Sequence, residues 1–304
     1  MEFDAQLDAR FDSQLRTPPL GNFIRKVQGS SITVPRMFDG HDLKSRVRVV
    51  GLFLVLVCAA IAAVAAFQVG PAPVLGYRVV GRYPHLKSSY TEGFFYLDGL
   101  FYEGTGREGQ SAVLAIQPET GKVVRRVLLA DEYFGEGIVD WGPEIYEWTW
   151  TSKICFVYDR ASFRLLRKLT YDGEGWGMTR TATQIVTSDG SSNLTFRDPA
   201  TFAKVRVITV HDGLANIEKL NELEFIHGEI WANVWHADRI ARISPEDGRV
   251  VAWIDLTGLL PESQKVDGES VLNGIAYDAA KDRIFVTGKQ WPTVFQIKVN
   301  EKAK

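Results

Sequence analysis

The sequence predicts an all-β protein, a five-bladed β-propeller closed by its N-terminal strand, that follows a single transmembrane helix. Three observations in the 304 residues lead to this prediction: an apolar run without charges near the N-terminus, no long helical periodicity after it, and one set of short segments that recurs five times. Their order predicts a flexible cytosolic tail (1–48), a transmembrane signal-anchor (49–69) and a propeller catalytic domain (72–304).

Composition and charge exclude several classes of protein. The chain is 45% hydrophobic, 24% charged and 12% aromatic, with 27 glycines, which is typical of a globular, turn-rich protein. A formal net charge of -2 argues against a nucleic-acid partner, because nucleic-acid binders present a basic face. Cys58 and Cys155 are the two cysteines, too few for a disulfide framework. We expect Cys155, in an apolar strand, to pack inside a blade.

The apolar run Val49–Phe67 contains 19 residues without a charge, enough to cross a bilayer core as a helix. Eight Lys/Arg against six Asp/Glu precede it, and no Lys or Arg follows until Arg78. The positive-inside rule therefore predicts a single-pass type II membrane protein with its propeller on the lumenal or extracytoplasmic side. Cleavage between Ala63 and Ala66, or burial of the run in a soluble domain, are the alternatives.

Two further sequence features fit this orientation. Residues 1–48 lack sustained periodicity and contain turn-rich stretches, which is typical of a flexible tail. Asn193-Leu194-Thr195 is an N-glycosylation sequon on the predicted outer side. We therefore expect the protein to be a glycoprotein modified at Asn193.

The recurring segments are about 45 residues apart, and they begin at Leu100, Ile145, Ile185, Ile230 and Ile284. A short polar element precedes each, and four are followed by an apolar strand, a turn such as PETG or EDG, and an alternating strand. Four short strands per copy is the size of one propeller blade. A β-sandwich is the alternative, but it does not explain five copies of the same elements.

The last copy ends with TVFQIKV (293–299) and lacks its outer alternating strand. The stretch LGYRVVGRYP (75–84) supplies an alternating strand from the other end of the repeats. We expect the two to pair and close the ring, which leaves no unpaired first or last blade.

Aligning the five copies brings polar or aromatic residues to equivalent inner-strand positions, four of them followed by glycine: Glu92, Glu136, Trp176, Glu222 and Asn273. Carboxylates that converge in a narrow channel must be protonated, hydrogen-bonded or bound to a cation. The same mouth is expected to hold Tyr90, Phe134, Trp150, Trp235 and Lys289. Together these groups favour a small-ligand pocket. Polar residues that only hold channel water, and tryptophans that only pack between blades, are the simpler interpretation, which we adopt for Trp148.

The motifs YTEGF, YFGEG, GEGWGM, LNELE, WANVW, SVLNGIAYD and FVTGKQWPTVFQI resemble, in order and spacing, the plant and bacterial type of glutaminyl-peptide cyclotransferase. The resemblance runs from about Tyr90 to Ile297. It implies a five-bladed propeller enzyme, an aminoacyltransferase that converts the N-terminal glutamine of peptides or proteins into pyroglutamate and releases ammonia. The substrate's α-amine attacks its own γ-carboxamide, so the enzyme holds the reactive geometry, moves a proton and stabilises an oxyanion.

Residue roles follow from the same resemblance. Glu136 of YFGEG matches the proton shuttle, and Asn221 and Lys289 match groups that bind the carboxamide or oxyanion. Trp150, Trp176 and Trp235 match the aromatic wall that holds the glutaminyl side chain. The alignment of the copies adds Tyr90, Phe134 and Asn273 to the expected substrate-binding residues. The resemblance implies no required cofactor, and a structural calcium ion in the channel is compatible with it. The expected partners are N-terminal glutaminyl peptides and, through residues 49–69, a membrane; we expect a monomer.

The first inner strand departs from the family pattern, which usually reads Phe-Thr-Gln-Gly where this chain has Tyr90-Thr91-Glu92-Gly93. An ionised Glu92 could clamp the substrate's α-ammonium in an inert form, whereas a proton shared with Glu136 could still serve the chemistry. We expect activity with an altered pH dependence, and we count Glu92 among the catalytic residues. The alternatives are a non-catalytic peptide-binding propeller and a calcium-dependent propeller hydrolase or lactonase that uses the ring oxygens as ligands.

Overall fold

The computed structural model describes Val50, Phe53 and residues 70–303, with side chains up to residue 300. The chain divides into two units, residues 1–58 and 59–304. In the first, Val50 and Phe53 are helical with exposed side chains. The predicted tail (1–48) and, apart from these two residues, the predicted signal-anchor (49–69) lie outside the described residues. Among the residues described, we find no helix that combines the length and the apolar character needed to span a bilayer.

The second unit is all-β, and its first strand is β1 (Val74–Pro84). Three four-stranded antiparallel sheets follow in chain order. They are β2 (Thr91–Leu97), β3 (Leu100–Thr105), β4 (Ala112–Ile116) and β5 (Val123–Leu128); β6 (Gly135–Trp141), β7 (Glu144–Thr149), β8 (Ile154–Asp159) and β9 (Leu165–Thr170); and β10 (Met178–Arg180), β11 (Ile185–Ser188), β12 (Asn193–Arg197) and β13 (Lys204–Thr209). A small hairpin, β14 (His211–Asp212) and β15 (Ala215–Asn216), comes next.

The remaining strands form one eight-stranded sheet in the order β16-β17-β18-β19-β1-β22-β21-β20. Its members are β16 (Leu220–Ile226), β17 (Glu229–Val234), β18 (Arg239–Ile243), β19 (Val250–Asp255), β20 (Leu272–Asp278), β21 (Arg283–Gly288) and β22 (Thr293–Ala303), with a 3-10 turn at Glu262–Gln264 between β19 and β20. The sheet contains two four-stranded groups, the second of which includes β1.

Strand β1 joins the two ends of this unit. It pairs antiparallel with β22, with Tyr77 opposite Val299 and Pro84 opposite Thr293. This is the pairing that the sequence predicts for residues 75–84. β1 also pairs in parallel with β19 through its first two residues. That short contact was not expected, and it merges two repeats into one sheet.

The inner strands follow one another in a closed cycle, in which β2 contacts β6, β6 contacts β10, β10 contacts β16, β16 contacts β20 and β20 contacts β2. Glycine permits this close approach, as expected from the sequence. The Gly137 N–H donates to the Trp176 carbonyl oxygen at 2.7 Å, and a Cβ on Gly137 would lie 2.6 Å from that oxygen. Any larger residue would push β6 away from its neighbour.

Buried apolar clusters fill the spaces between consecutive four-stranded groups throughout residues 70–300. Phe94 and Phe285, for example, join the first group to the last. Trp148 and Cys155 are 1% and 0% exposed in the cluster between the second and third groups. Their predicted packing roles are therefore confirmed. Burial of this apolar surface between sheets is the main term that stabilises such a fold.

Tight turns join the inner strand of a group to its second strand. Between β2 and β3, Asp98 and Gly99 have φ of +51° and +85°, and between β16 and β17, His227 and Gly228 have φ of +52° and +83°. Two consecutive positive φ angles are characteristic of the type I′ turn, which matches the twist of paired strands. Each turn joins an inner strand to the second strand of its group. The first residues of the inner strand and the last residues of the second strand therefore lie together, at the far end of the group from the turn.

Candidate active site

A cavity of about 210 Å³ lies at that end of the inner strands, lined by Tyr90, Glu92, Phe134, Glu136, Trp150, Trp176, Asn221, Trp235, Glu269 and Lys289. Nine of these ten residues are those that the sequence assigns to the catalytic or substrate-binding site. The structure thus gathers residues that lie up to about 200 positions apart in the chain. Sequence reasoning missed Glu269.

Equivalent strand positions explain how these side chains meet. Glu92, Glu136 and Asn221 are each the second residue of an inner strand, namely β2, β6 and β16. Trp150 directly follows β7. In the same way, Trp235 follows β17 and Lys289 follows β21. Because the groups are arranged cyclically, residues at the same strand position converge on the same end of the channel.

The most buried polar contact of the cavity joins Lys289 to Glu92. The Lys289 Nζ donates to Glu92 Oε1 at 2.6 Å, and the two side chains are 6% and 2% exposed. The Glu136 carboxyl is within hydrogen-bonding reach of Glu92. Burial raises the pKa of Glu136 well above its usual range, and the charge of Glu92 raises it further.

Burial also raises the pKa of Glu92, but the ammonium group of Lys289 opposes that rise. The ion pair with Lys289 therefore favours ionisation of Glu92 over ionisation of Glu136, whose pKa the charge of Glu92 raises further. Two carboxyl groups in such contact titrate as a pair that shares one proton.

Asn273 and Glu222 lie outside the cavity wall. The Asn273 amide donates to Glu92 Oε2 at 3.3 Å and to the Thr91 carbonyl at 2.8 Å, so it supports Glu92 from behind. The Glu222 carboxyl accepts the backbone N–H groups of Phe94 and Ile275, at 3.2 and 2.8 Å. Burial raises the pKa of Glu222 well above its usual range. Glu222 thus ties three inner strands together.

The aromatic wall is held in place by edge contacts and by one carboxylate. The Trp176 and Trp235 rings meet edge to face at 5.7 Å, and those of Phe134 and Trp150 at 5.8 Å. Glu174 Oε2 accepts the indole N–H groups of Trp150 and Trp176, at 2.8 and 3.1 Å. Sequence reasoning gave Glu174 no role, although its place two residues before Trp176 in GEGWGM was the available signal.

Glu269 lies at the rim, in the loop between β19 and β20. The Tyr90 hydroxyl donates to Glu269 Oε2 at 3.3 Å, and His236 Nε2 is 3.4 Å from Glu269 Oε1. Burial, together with the charges of Glu92 and Glu269, raises the pKa of Tyr90 well above its usual value, so its hydroxyl remains a donor. The loop has no counterpart in the other repeats, so alignment of the copies could not have found Glu269.

Two polar atoms of the wall are buried without a hydrogen-bond partner, Asn221 Oδ1 and Trp235 Nε1. Buried polar atoms are almost always paired, so an unpaired acceptor and an unpaired donor in one cavity wall are characteristic of a binding site. A primary carboxamide supplies the complementary pair, since its NH2 donates and its oxygen accepts.

The remaining expectations concern a metal ion and glycosylation. Within residues 70–300, no three His, Cys, Asp or Glu side chains are grouped so that they could hold a metal ion. Asn193 begins β12, away from the cavity wall, and is partly exposed. Its Oδ1 accepts the Thr209 hydroxyl at 2.9 Å.

Comparison with known proteins gives a consistent result. A family model described as glutamine cyclotransferase matches residues 52–299. A glutaminyl-peptide cyclotransferase of Arabidopsis thaliana is 38% identical over 229 residues, which cover 73% of this chain and 71% of the plant protein. The crystal structure of Myxococcus xanthus glutaminyl cyclase is 34% identical, superposes with a TM-score of 0.72, and matches 75% of this chain and 98% of that one. The chain belongs to the glutamine cyclotransferase family.

Proposed function

We propose that this protein is a glutaminyl-peptide cyclotransferase, which converts the N-terminal glutamine of a peptide or protein into pyroglutamate and releases ammonia. The observation that carries the proposal is the buried Glu92–Glu136 pair, which faces Asn221, Lys289 and three tryptophans in a cavity of about 210 Å³. Such a cavity suits one side chain rather than a folded substrate. Identity of 38% to a protein with this activity supports the same conclusion.

The reaction needs one acid and one base, and the carboxyl pair supplies both. The α-amine nitrogen of the substrate bonds to Cδ of its own side chain, and the bond from Cδ to the amide nitrogen breaks. Glu136 donates its proton to the departing nitrogen, while the Glu92 carboxylate accepts a proton from the attacking amine. The amide leaves as ammonia, and the pair again holds one proton. Because the attack is intramolecular, positioning supplies much of the rate.

The cavity wall holds the γ-carboxamide in this arrangement. Asn221 Oδ1 accepts from the amide NH2, and Trp235 Nε1 donates to its oxygen, so both unpaired atoms find partners. The same indole N–H, with the ammonium group of Lys289, stabilises the negative charge that develops on that oxygen. Trp150, Trp176 and Phe134 enclose the aliphatic part of the glutamine.

The ion pair with Lys289 bears on the unusual residue Glu92. Lys289 neutralises Glu92, and its Nζ also lies 4.5 Å from the centre of the Tyr90 ring. A neutralised Glu92 binds the substrate's α-ammonium weakly. The ion pair therefore favours the shared proton over the ammonium clamp as the role of Glu92.

Mass spectrometry of a short glutaminyl peptide, incubated with the full chain, tests the proposal. We expect the peptide to lose the mass of one ammonia, while the same peptide with an acetylated N-terminus stays intact because its nitrogen is no longer nucleophilic. Binding without mass loss would point instead to a non-catalytic peptide-binding protein.

We also propose that no cofactor is required, so a chelator leaves the rate unchanged. Loss of this activity with the chelator would contradict that proposal, and a chelator effect on thermal stability alone would indicate a structural calcium ion.

We further infer that the four-stranded groups are the blades of a five-bladed propeller. The closed cycle of inner-strand contacts and the clusters between consecutive groups support this inference. In this interpretation the eight-stranded sheet is two adjacent blades, joined where β1 reaches β19. An experimental structure that contains another number of blades would contradict it.

Domain organisation and location remain proposals from the sequence. We propose a cytosolic tail (1–48), a signal-anchor (49–69) and a lumenal or extracytoplasmic catalytic domain (72–304) that is monomeric and glycosylated at Asn193. Protease protection in sealed microsomes tests the orientation, and a mobility shift lost in Asn193→Gln tests the glycan. Cleavage of the domain by protease added outside intact microsomes would contradict the predicted orientation.

A further inference from the structure

A second buried group of titratable and hydroxyl side chains lies behind the cavity, where the connection from β1 to β2 meets the turn between β21 and β22. His85 Nδ1 is 2.6 Å from the Trp291 carbonyl oxygen, and His85 Nε2 is 3.1 Å from Glu103 Oε1. The imidazole and the carboxyl are 2% and 0% exposed. None of these groups has a part in the proposed reaction.

The contacts define the protonation state of His85. A carbonyl oxygen only accepts, so Nδ1 carries a hydrogen, and a carboxylate opposite Nε2 requires a hydrogen there as well. Ser89 and Thr91 donate their hydroxyls to the same Glu103 carboxyl, at 3.1 and 2.7 Å. Burial alone would lower the pKa of His85, but the charge of Glu103 and the hydrogen bonds to Glu103 and Trp291 outweigh it and raise that pKa. Glu103 is the one titratable group in the described residues that contributes to this shift.

This ion pair connects the two segments that carry Glu92 and Lys289. The Gln290 N–H donates to the Ser89 carbonyl at 2.7 Å. The Thr91 hydroxyl, which donates to Glu103, is also 3.4 Å from the Gly288 carbonyl. Thr91 immediately precedes Glu92, and Gly288 immediately precedes Lys289. Hydrogen bonds therefore link this ion pair to the backbone on both sides of the Lys289–Glu92 contact.

We propose that His85 and Glu103 are positioning residues, a buried ion pair that holds the start of β2 against the β21–β22 turn and so sets the contact between Glu92 and Lys289. The proposal rests on the proposed function for its kinetic consequence, but the contact itself is independent of activity. A displacement of about 1 Å at a reacting group costs up to about a hundredfold in rate, so the pair affects turnover without touching substrate.

The chain provides a matched control at the equivalent place in the next group. Glu103 lies opposite Phe94 in the pairing of β2 with β3, and Glu147 lies opposite Ile138 in the pairing of β6 with β7. Both carboxyls are 0% exposed. The Glu147 carboxyl is within hydrogen-bonding reach of the Tyr158 side chain and, unlike Glu103, is not paired with a histidine. Glu147→Gln thus measures what replacing a buried carboxyl by an amide at this strand position does by itself.

The test compares His85→Asn, Glu103→Gln and Glu147→Gln in the full chain. His85→Asn retains an N–H for the Trp291 carbonyl but cannot reach Glu103. We expect kcat to fall at least about tenfold in the first two variants with a small change in KM, because the reacting groups rather than the pocket walls are displaced. We expect the acidic limb of the pH–kcat profile to move to higher pH, because Lys289 no longer lowers the pKa of Glu92 to the same extent. Glu147→Gln should keep both kcat and the profile.

An activity-independent readout separates this proposal from the proposed function. The ammonium group of Lys289, identified with Lys289→Arg, should give a protected resonance in heteronuclear NMR because it is buried and hydrogen-bonded. We expect that resonance to shift or disappear in His85→Asn and Glu103→Gln and to persist in Glu147→Gln. An inactive wild type with this NMR pattern would refute the proposed function and keep the positioning role. An unchanged Lys289 resonance in folded His85→Asn and Glu103→Gln variants would overturn the positioning role. Thermal unfolding of each variant shows whether that variant is folded.

Discussion

Replacing Glu92 by glutamine tests the shared proton most sharply. Glu92→Gln removes the negative charge that raises the pKa of Glu136 and leaves the ammonium group of Lys289 to lower it. Two unit charges about 4 Å apart interact by about 4 kcal/mol at an effective dielectric constant of about 20. One pKa unit corresponds to about 1.4 kcal/mol, so even a third of that interaction shifts the pKa of Glu136 by about one unit.

The assay is the pH dependence of kcat/KM for ammonia release. Glu92→Gln also removes the proposed base, so we expect kcat/KM to fall and the inflection that reports Glu136 to move to lower pH by about one to two units. Glu147→Gln is the control, because it replaces a buried carboxyl outside the cavity by an amide and should leave the inflections where they are. A profile of Glu92→Gln that coincides with that of the wild type would refute the coupling between the two carboxyls.

Three further predictions concern substrate binding, stability and ring closure. Trp235→Phe removes the unpaired indole donor and keeps an aromatic ring, so kcat/KM for a glutaminyl peptide should fall about tenfold, which corresponds to one hydrogen bond of about 1.4 kcal/mol; an unchanged value would contradict its contact with the carboxamide. Burial raises the pKa of Glu147 well above its usual value, so folding binds a proton and wild-type stability falls as pH rises above about 4.5. Glu147→Gln should therefore raise the melting temperature near neutral pH and lose this advantage in acid, and the opposite pH dependence in thermal unfolding would argue against a protonated Glu147. Val79 of β1 packs against a buried cluster, whereas Val80 is 37% exposed. In denaturant unfolding, Val79→Asp should lower the free energy of unfolding by about 2 to 4 kcal/mol, and Val80→Asp should change it little. Equal effects of the two substitutions would contradict the role of β1 in the core.

Much of the site could be predicted because it repeats. Glu92 and Glu136 occupy the same position in the first two copies, and a cyclic arrangement converts equal strand positions into spatial neighbours. Alignment of the copies placed Glu222 at that position in the fourth copy, whereas the structure has Asn221 there, which the family resemblance alone had assigned to the site. The pairing of β1 with β22 was predictable for a related reason, because a missing outer strand at one end of the repeats matched an extra strand at the other. Periodicity thus determines which residues converge without any knowledge of their contacts.

Features that do not repeat could not be predicted in this way. Glu269 lies in a loop that is present in one group only. The pairing of β1 with β19 involves only the first two residues of β1, which belong to no repeat. The ion pair of Lys289 with Glu92 requires side-chain geometry, since alignment places both at the mouth without saying which atoms meet. His85 lies between repeats, so nothing in the pattern connects it with Glu103.

Ammonia release from a glutaminyl peptide, measured for the full chain and for Glu136→Gln side by side, tests the central claim most directly. The proposed chemistry predicts turnover by the wild type and a loss of at least about a hundredfold in Glu136→Gln, because the variant has no proton to give to the leaving nitrogen. Full turnover by a folded Glu136→Gln variant, or none by a folded wild type that still binds the peptide, would contradict it.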